Sequence, residues 1–169
     1  DQGFQLGEHG LWKKRVFYDQ NIRVPLIFRY PKTLPRGKTI GELVEMIDFM
    51  PTLMELSGLP VPRGIHGRSL VPLMTGQVTT WRPAVFSEID HSMSMYRELR
   101  QGTGRRVMVR TKKWKLVFFM DRRVTDKDGA LYDLENDPWE QANLYNDPQH
   151  ADTVRRLEKL AERWDRDKA

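Results

Sequence analysis

A chain of 169 residues, 39% hydrophobic and 30% charged, is long enough to bury a core and too apolar and aromatic for a disordered, collagenous or fibrous protein. It has no cysteine, which excludes disulfides, thiolate metal sites and cysteine nucleophiles within these residues, and no run nears the ~18 apolar residues of a membrane span. A net charge of +5 points to anionic partners without naming one. The first residues, Asp1-Gln2-Gly3, carry neither a Met nor a leader pattern and read as the interior of a longer sequence.

In chain order, Gly-rich turns alternate with amphipathic stretches up to Val24-Pro25-Leu26-Ile27-Phe28, a short apolar run that predicts a buried strand. A helix follows, with Asp48 as N-cap, Pro51 in the first turn, Leu53, Met54 and Leu56 as its apolar positions and Gly58 as the stop. A Pro/Gly-rich connector from Pro60 to Gly67 leads into the apolar segment Ser69 to Met74. Composition shifts near Gly76–Pro83, which places a subdomain boundary at about residue 78.

Beyond it, Ala84-Val85-Phe86, the alternating Arg106-Val107-Met108-Val109-Arg110, the apolar Trp114 to Met120, and Leu131 to Leu134 after the Asp128-Gly129 turn predict a small antiparallel sheet. Asp147-Pro148 open a terminal helix with Val154, Leu157, Leu160, Ala161 and Trp164 on one face. The fold class is therefore α/β.

Candidate functional groups crowd the first fifteen residues: Asp1, Gln2, Glu8, His9, Lys13, Lys14 and Arg15, among Gly3, Gly7 and Gly10. A carboxylate beside an amide carbonyl offers two oxygen ligands to a hard divalent cation. A nearby Lys or His would bind an oxyanion or protonate a leaving group. On spacing alone a solvated terminus accounts for the same residues.

The run from Asp1 through Gly7-Glu8-His9-Gly10-Leu11-Trp12-Lys13-Lys14, continuing to Arg23-Val24-Pro25-Leu26-Ile27, resembles a signature region of the type I sulfatases, in the alkaline-phosphatase-like superfamily. Asp48-Phe49-Met50-Pro51-Thr52-Leu53, His66-Gly67-Arg68-Ser69-Leu70 and Leu131-Tyr132-Asp133-Leu134 through Asp137-Pro138-Trp139-Glu140 to Asn143-Leu144 resemble later family segments in the same order.

The resemblance implies a Ca2+-dependent sulfuric ester hydrolase acting on a sulfated small molecule or glycan. Asp1 and Gln2 would be metal ligands, Lys14 a sulfate contact or leaving-group acid, and His9 either a substrate contact or a loop hydrogen-bonding group. From its place in the loop Asp90 to Tyr96, and apart from the resemblance, His91 would either line an active-site rim or sit in an exposed variable loop. Residues 1–78 would complete a mixed alkaline-phosphatase-like sheet with flanking helices, and residues 79–169 would form the small antiparallel sheet packed by the terminal helix. Gln2 tilts the substrate toward carbohydrate.

The family's formylglycine nucleophile comes from a Cys/Ser-x-Pro/Ala-x-Arg motif. No serine here opens that pattern, so the nucleophile is expected from a missing N-terminal part of the same enzyme, and this segment alone is expected to be inactive. The parent is expected to be periplasmic or secreted, with no nucleic-acid partner and no membrane span.

Two alternatives stay open. One is a phosphodiesterase or phosphonate monoester hydrolase of the same superfamily. The other is a noncatalytic polyanion-binding module using the stretch Arg97–Arg123, where ten basic residues face only Glu98 and Asp121, a net of +8.

Overall fold

The computed structural model describes residues 2–90, 104–120 and 129–168. In chain order its main elements are β1 (Gln5–Leu6), β2 (Trp12–Lys13), α1 (Asp19–Ile22), α2 (Phe49–Leu56), α3 (Val71–Thr75), β3 (Val85–Asp90), β4 (Arg105–Arg110), β5 (Trp114–Phe119), β6 (Ala130–Asp133) and α4 (Ala151–Asp167). They form two compact units. One joins the segment up to Pro25 to the chain from Phe86 onward; the other holds Leu26–Val85.

In the first unit, β3, β4, β5 and β6 are neighbours in that order. The β4–β5 and β5–β6 pairs are antiparallel, with Arg110 opposite Lys115 and Lys115 opposite Tyr132 in one row, and Val109 opposite Leu116 and Leu116 opposite Leu131 in the next. Side chains alternate across a sheet, so these two rows lie on opposite faces. The Val109–Leu116–Leu131 face takes α4. Arg105, in phase with Val109, reaches Asp165 with two hydrogen bonds of 2.6 and 2.7 Å. Phe86 stacks on Trp164 at 5.0 Å, and Val154, Leu157 and Ala161 are buried.

The Arg110–Lys115–Tyr132 face takes residues 17–19. Covering both faces explains why Val107, Met108 and Val109 are all buried, where the alternation of β4 predicted a half-exposed strand. A 3₁₀ turn, Pro148–His150, opens α4, with the Asp147 carboxylate accepting the Gln149 N–H at 2.9 Å.

In the second unit, Asp48 does hold the N-cap position of α2, but its carboxylate makes no cap bond. It accepts the N–H groups of Glu45 and Arg68, each at 2.8 Å, and pairs with Arg82 at 2.7 Å. Thr52 extends the network: its hydroxyl donates to the Asp48 carbonyl at 2.6 Å and accepts the Leu70 N–H at 2.9 Å. Thus the inward face of α2 is built on Pro51 and Thr52, while Leu53 is exposed, contrary to expectation.

Gly58 (φ 71°) ends the helix, with its N–H on the Glu55 carbonyl and the Leu59 N–H on that of Met54, a Schellman closure. Leu34, Leu70, Val71 and Met74 form the core, with Phe28, Ile40, Val44, Leu56 and Trp81 packed around it.

The run Val24–Phe28 is not a buried strand. It joins no ladder among the described residues, and Ile27 is 90% exposed. An apolar run becomes a strand only when a neighbour takes its N–H and C=O groups, and Pro25 has no N–H to give.

Candidate functional site

The β1–β2 hairpin organises the N-terminal cluster. Gln5 lies opposite Lys13 and Leu6 opposite Trp12, and Lys14 follows directly on the paired residues. The connecting turn closes through the Gly7 N–H to the Leu11 carbonyl and the Leu11 N–H to the Glu8 carbonyl, both 3.0 Å. Glu8 accepts the Leu6 N–H at 2.7 Å, and this backbone bond, with one from its own N–H, holds its carboxyl below the ordinary range.

The hairpin lies along α1. Gln5, fully buried, donates its side-chain amide to Asn21 Oδ1. Gly3 passes so close to Gln20 that a Cβ would stand 1.6 Å from the Gln20 carbonyl oxygen, so only glycine fits there.

His9 lies in the closed end of the hairpin in a left-handed conformation (φ 53°, ψ 21°). Its ring stacks on Tyr18, with centroids 3.7 Å apart and planes within 6°. Its Nε2 is buried and has no hydrogen-bond partner. The Tyr18 and Tyr132 hydroxyls share a hydrogen bond of 3.3 Å. Burial, reinforced by that bond, pushes the Tyr132 phenol well above its ordinary pKa, so it stays protonated.

Beneath Tyr18 is a charge cluster on the sheet. Lys115, with no exposed surface, donates to the Phe17 carbonyl at 2.9 Å and pairs with the Asp19 and Glu140 carboxylates. Glu140 also accepts the Asp19 N–H at 2.7 Å, and Arg110 reaches Asp19 at 3.3 Å. Burial alone would raise the Asp19 carboxyl; Lys115 and then Arg110 outweigh it, leaving the pKa below the ordinary value. Lys115, Glu140, Tyr18 and Tyr132 were not singled out in the sequence. The legible signal was a lysine inside the apolar run Trp114–Phe119, which demands an acidic partner when buried.

Of the expected site residues, Asp1 and His91 lie outside the described residues. Gln2 is exposed, Lys14 is half-buried, and His9 is half-buried against Tyr18. Lys14 follows β2 at the open end of the hairpin, and His9 lies at its closed end. His66 is exposed.

Among the described residues no three His, Cys, Asp or Glu side chains gather as a metal cluster. Among the described residues of the basic stretch, most cations are engaged internally. Arg105 pairs with Glu88 and Asp165, Arg110 with Asp19, and Lys113 with Asp133 and Glu135, while Lys115 is buried and Arg106 lies over the Phe119 ring. Among the described residues, then, much of the charge invoked for polyanion binding is already compensated.

Comparison with known proteins matches residues 7–167 to the model of the N-sulphoglucosamine sulphohydrolase C-terminal family. An N-acetylglucosamine-6-O-sulfatase of Bacteroides thetaiotaomicron is 33% identical over 170 residues, covering 96% of this chain and 28% of that protein. A solved structure of a protein in complex with its substrate D-glucosamine-2-N,6-O-disulfate superposes with a TM-score of 0.82 at 32% identity, covering 99% of this chain and 33% of that one. A phosphonate monoester hydrolase from Silicibacter pomeroyi superposes with a TM-score of 0.83 at 29% identity, covering 99% and 34%. The chain thus spans about a third of the length of these relatives.

Proposed function

Because the chain belongs to the N-sulphoglucosamine sulphohydrolase C-terminal family, we propose that it is the C-terminal part of a sulfatase that hydrolyses sulfate esters on an amino sugar or related glycan. The observation carrying this reading is the match over residues 7–167, supported by likeness to a carbohydrate sulfatase and to a structure holding a sulfated glucosamine.

In this proposal Lys14 binds the sulfate oxygens by charge, and His9 hydrogen-bonds the substrate or protonates the leaving oxygen. Asp1 and Gln2 would hold a Ca2+ ion. Such an ion would supply positive charge beside the sulfate. His91 would line the rim. The nucleophile, a formylglycine in this proposal, belongs to sequence beyond these residues, which contain no cysteine. The division at residue 78 between catalytic domain and C-terminal subdomain is part of the same proposal, as is a periplasmic or secreted parent; among the described residues no helix is long and apolar enough to cross a membrane.

The test is turnover by the full-length enzyme of glucosamine 6-sulfate and of a phenyl phosphonate ester, with and without a chelator. Sulfate hydrolysis lost on chelation and reduced about 100-fold or more in Lys14→Ala supports the reading. Preference for the phosphonate would favour the second reading, which rests on the phosphonate monoester hydrolase likeness. Residues 1–169 alone are expected to turn over neither ester.

A further inference from the structure

The buried charges around Lys115 act on residues 17 and 19, while the candidate reactive group is His9. Between them stands Tyr18. Its neighbour Phe17 gives its carbonyl to Lys115, and its other neighbour Asp19 gives its carboxylate to Lys115 and Arg110 and its N–H to Glu140. The Tyr18 backbone is therefore clamped from both sides onto β4, β5 and the Glu140 turn. The far end of its side chain is tied to β6 through the Tyr132 hydroxyl, 3.3 Å away. What remains free is the ring face, and on it lies the His9 imidazole, parallel at 3.7 Å.

His9 needs such a support. It sits in a left-handed backbone conformation inside a glycine-flanked turn, and its Nε2 is buried without a partner, so no hydrogen bond from that nitrogen orients the ring.

We propose that Tyr18 is a positioning residue for His9: its ring, fixed to the C-terminal sheet through Tyr132 and the Lys115 cluster, sets the plane and depth of the imidazole. The inference rests on the sulfatase reading for its catalytic consequence, whereas the stack itself does not. An aromatic face restrains a stacked ring without competing for its nitrogens.

The test uses full-length enzyme and five variants: Tyr18→Leu, Tyr18→Phe, Tyr132→Phe, His9→Ala and Tyr18→Leu/His9→Ala. The first readout is the His9 imidazole carbon-bound proton signal in NMR, identified by its loss in His9→Ala. In wild type it is shifted upfield by the Tyr18 ring; Tyr18→Phe keeps the shift and Tyr18→Leu abolishes it.

The second readout is kcat and KM for a sulfated glucosamine across pH. Tyr18→Leu lowers kcat/KM about 10- to 100-fold, and Tyr18→Phe recovers most of that loss. In the His9→Ala background the Leu substitution costs nothing further, which loss through general destabilisation would not produce.

The proposal is overturned if Tyr18→Leu leaves the His9 signal or kcat/KM unchanged, or if its cost is the same with and without His9. If wild type turns over no sulfate or phosphonate ester, the enzymatic reading fails, and the NMR shift alone decides whether Tyr18 sets the His9 ring.

Discussion

Lys115 Nζ stands 2.7 Å from Glu140 Oε1, and neither side chain has any exposed surface. With Asp19 as the second acid, the ammonium joins three sequence-distant segments: residues 17–19 at the start of α1, the start of β5 and the turn after β6. Burying a lysine among apolar strand residues is tolerable only while its charge is matched. Lys115→Met fits the volume but leaves the buried Glu140 carboxylate without its cation and Asp19 with Arg110 alone. It is expected to cost about 3–5 kcal/mol in denaturant unfolding, and Lys115→Met/Glu140→Gln should recover part of that loss. Equal stability of Lys115→Met and wild type would show that the pair contributes nothing.

This cluster marks the border of what the sequence discloses. Local patterns place β4, β5, β6 and α4: alternation in Arg106–Arg110, an apolar run at Trp114–Met120, the Asp128-Gly129 turn before Leu131, and helical spacing in Val154, Leu157 and Ala161. The motif run around Asp1–Lys14 drew attention to His9. That Tyr18 supports His9, and that Glu140 answers Lys115, depends on contacts between residues far apart in the chain, which no local pattern encodes. Val24–Phe28 failed for the complementary reason: its apolar run was legible, but a strand also needs a partner.

Asp165 links acid stability to the packing of α4. Its hydrogen bonds with Arg105 hold its carboxyl at about 2, against an ordinary 3.8. A carboxylate depressed in the folded state stabilises above its unfolded value, and that contribution fades as pH falls from about 4 toward 2. Asp165→Asn should therefore be less stable than wild type at pH 7 and converge on it near pH 2, in a series of melting curves. A constant difference between the two across that range would contradict the assignment.

Leu157 is a fully buried contact of α4, lying among Val154, Ala161 and the β4–β5 face. Truncating it leaves a void that a helix pinned by Arg105–Asp165 and by Phe86–Trp164 stacking cannot easily close. Leu157→Ala is expected to destabilise by about 2–5 kcal/mol in equilibrium unfolding. A loss below about 1 kcal/mol would mean that α4 re-seats on the sheet.

Gly3 connects the packing of the hairpin to the candidate metal ligand beside it. Its Cα passes the Gln20 carbonyl so closely that an added Cβ would lie 1.6 Å from the oxygen and 2.8 Å from the carbonyl carbon. Both obstructing atoms are backbone, so no side-chain rotation relieves the overlap, and either the hairpin lifts from α1 or α1 moves. Gln5 resists the first, being buried and bonded to Asn21. Gly3→Ala should cost about 1–3 kcal/mol of stability. If Gln2 does hold a cation, the same substitution should also weaken calcium affinity, since it displaces the backbone next to the ligand. Titrating calcium against the variant at a temperature where it is fully folded separates the two effects. Normal stability with normal calcium affinity would show that the close approach to Gln20 is not maintained in solution.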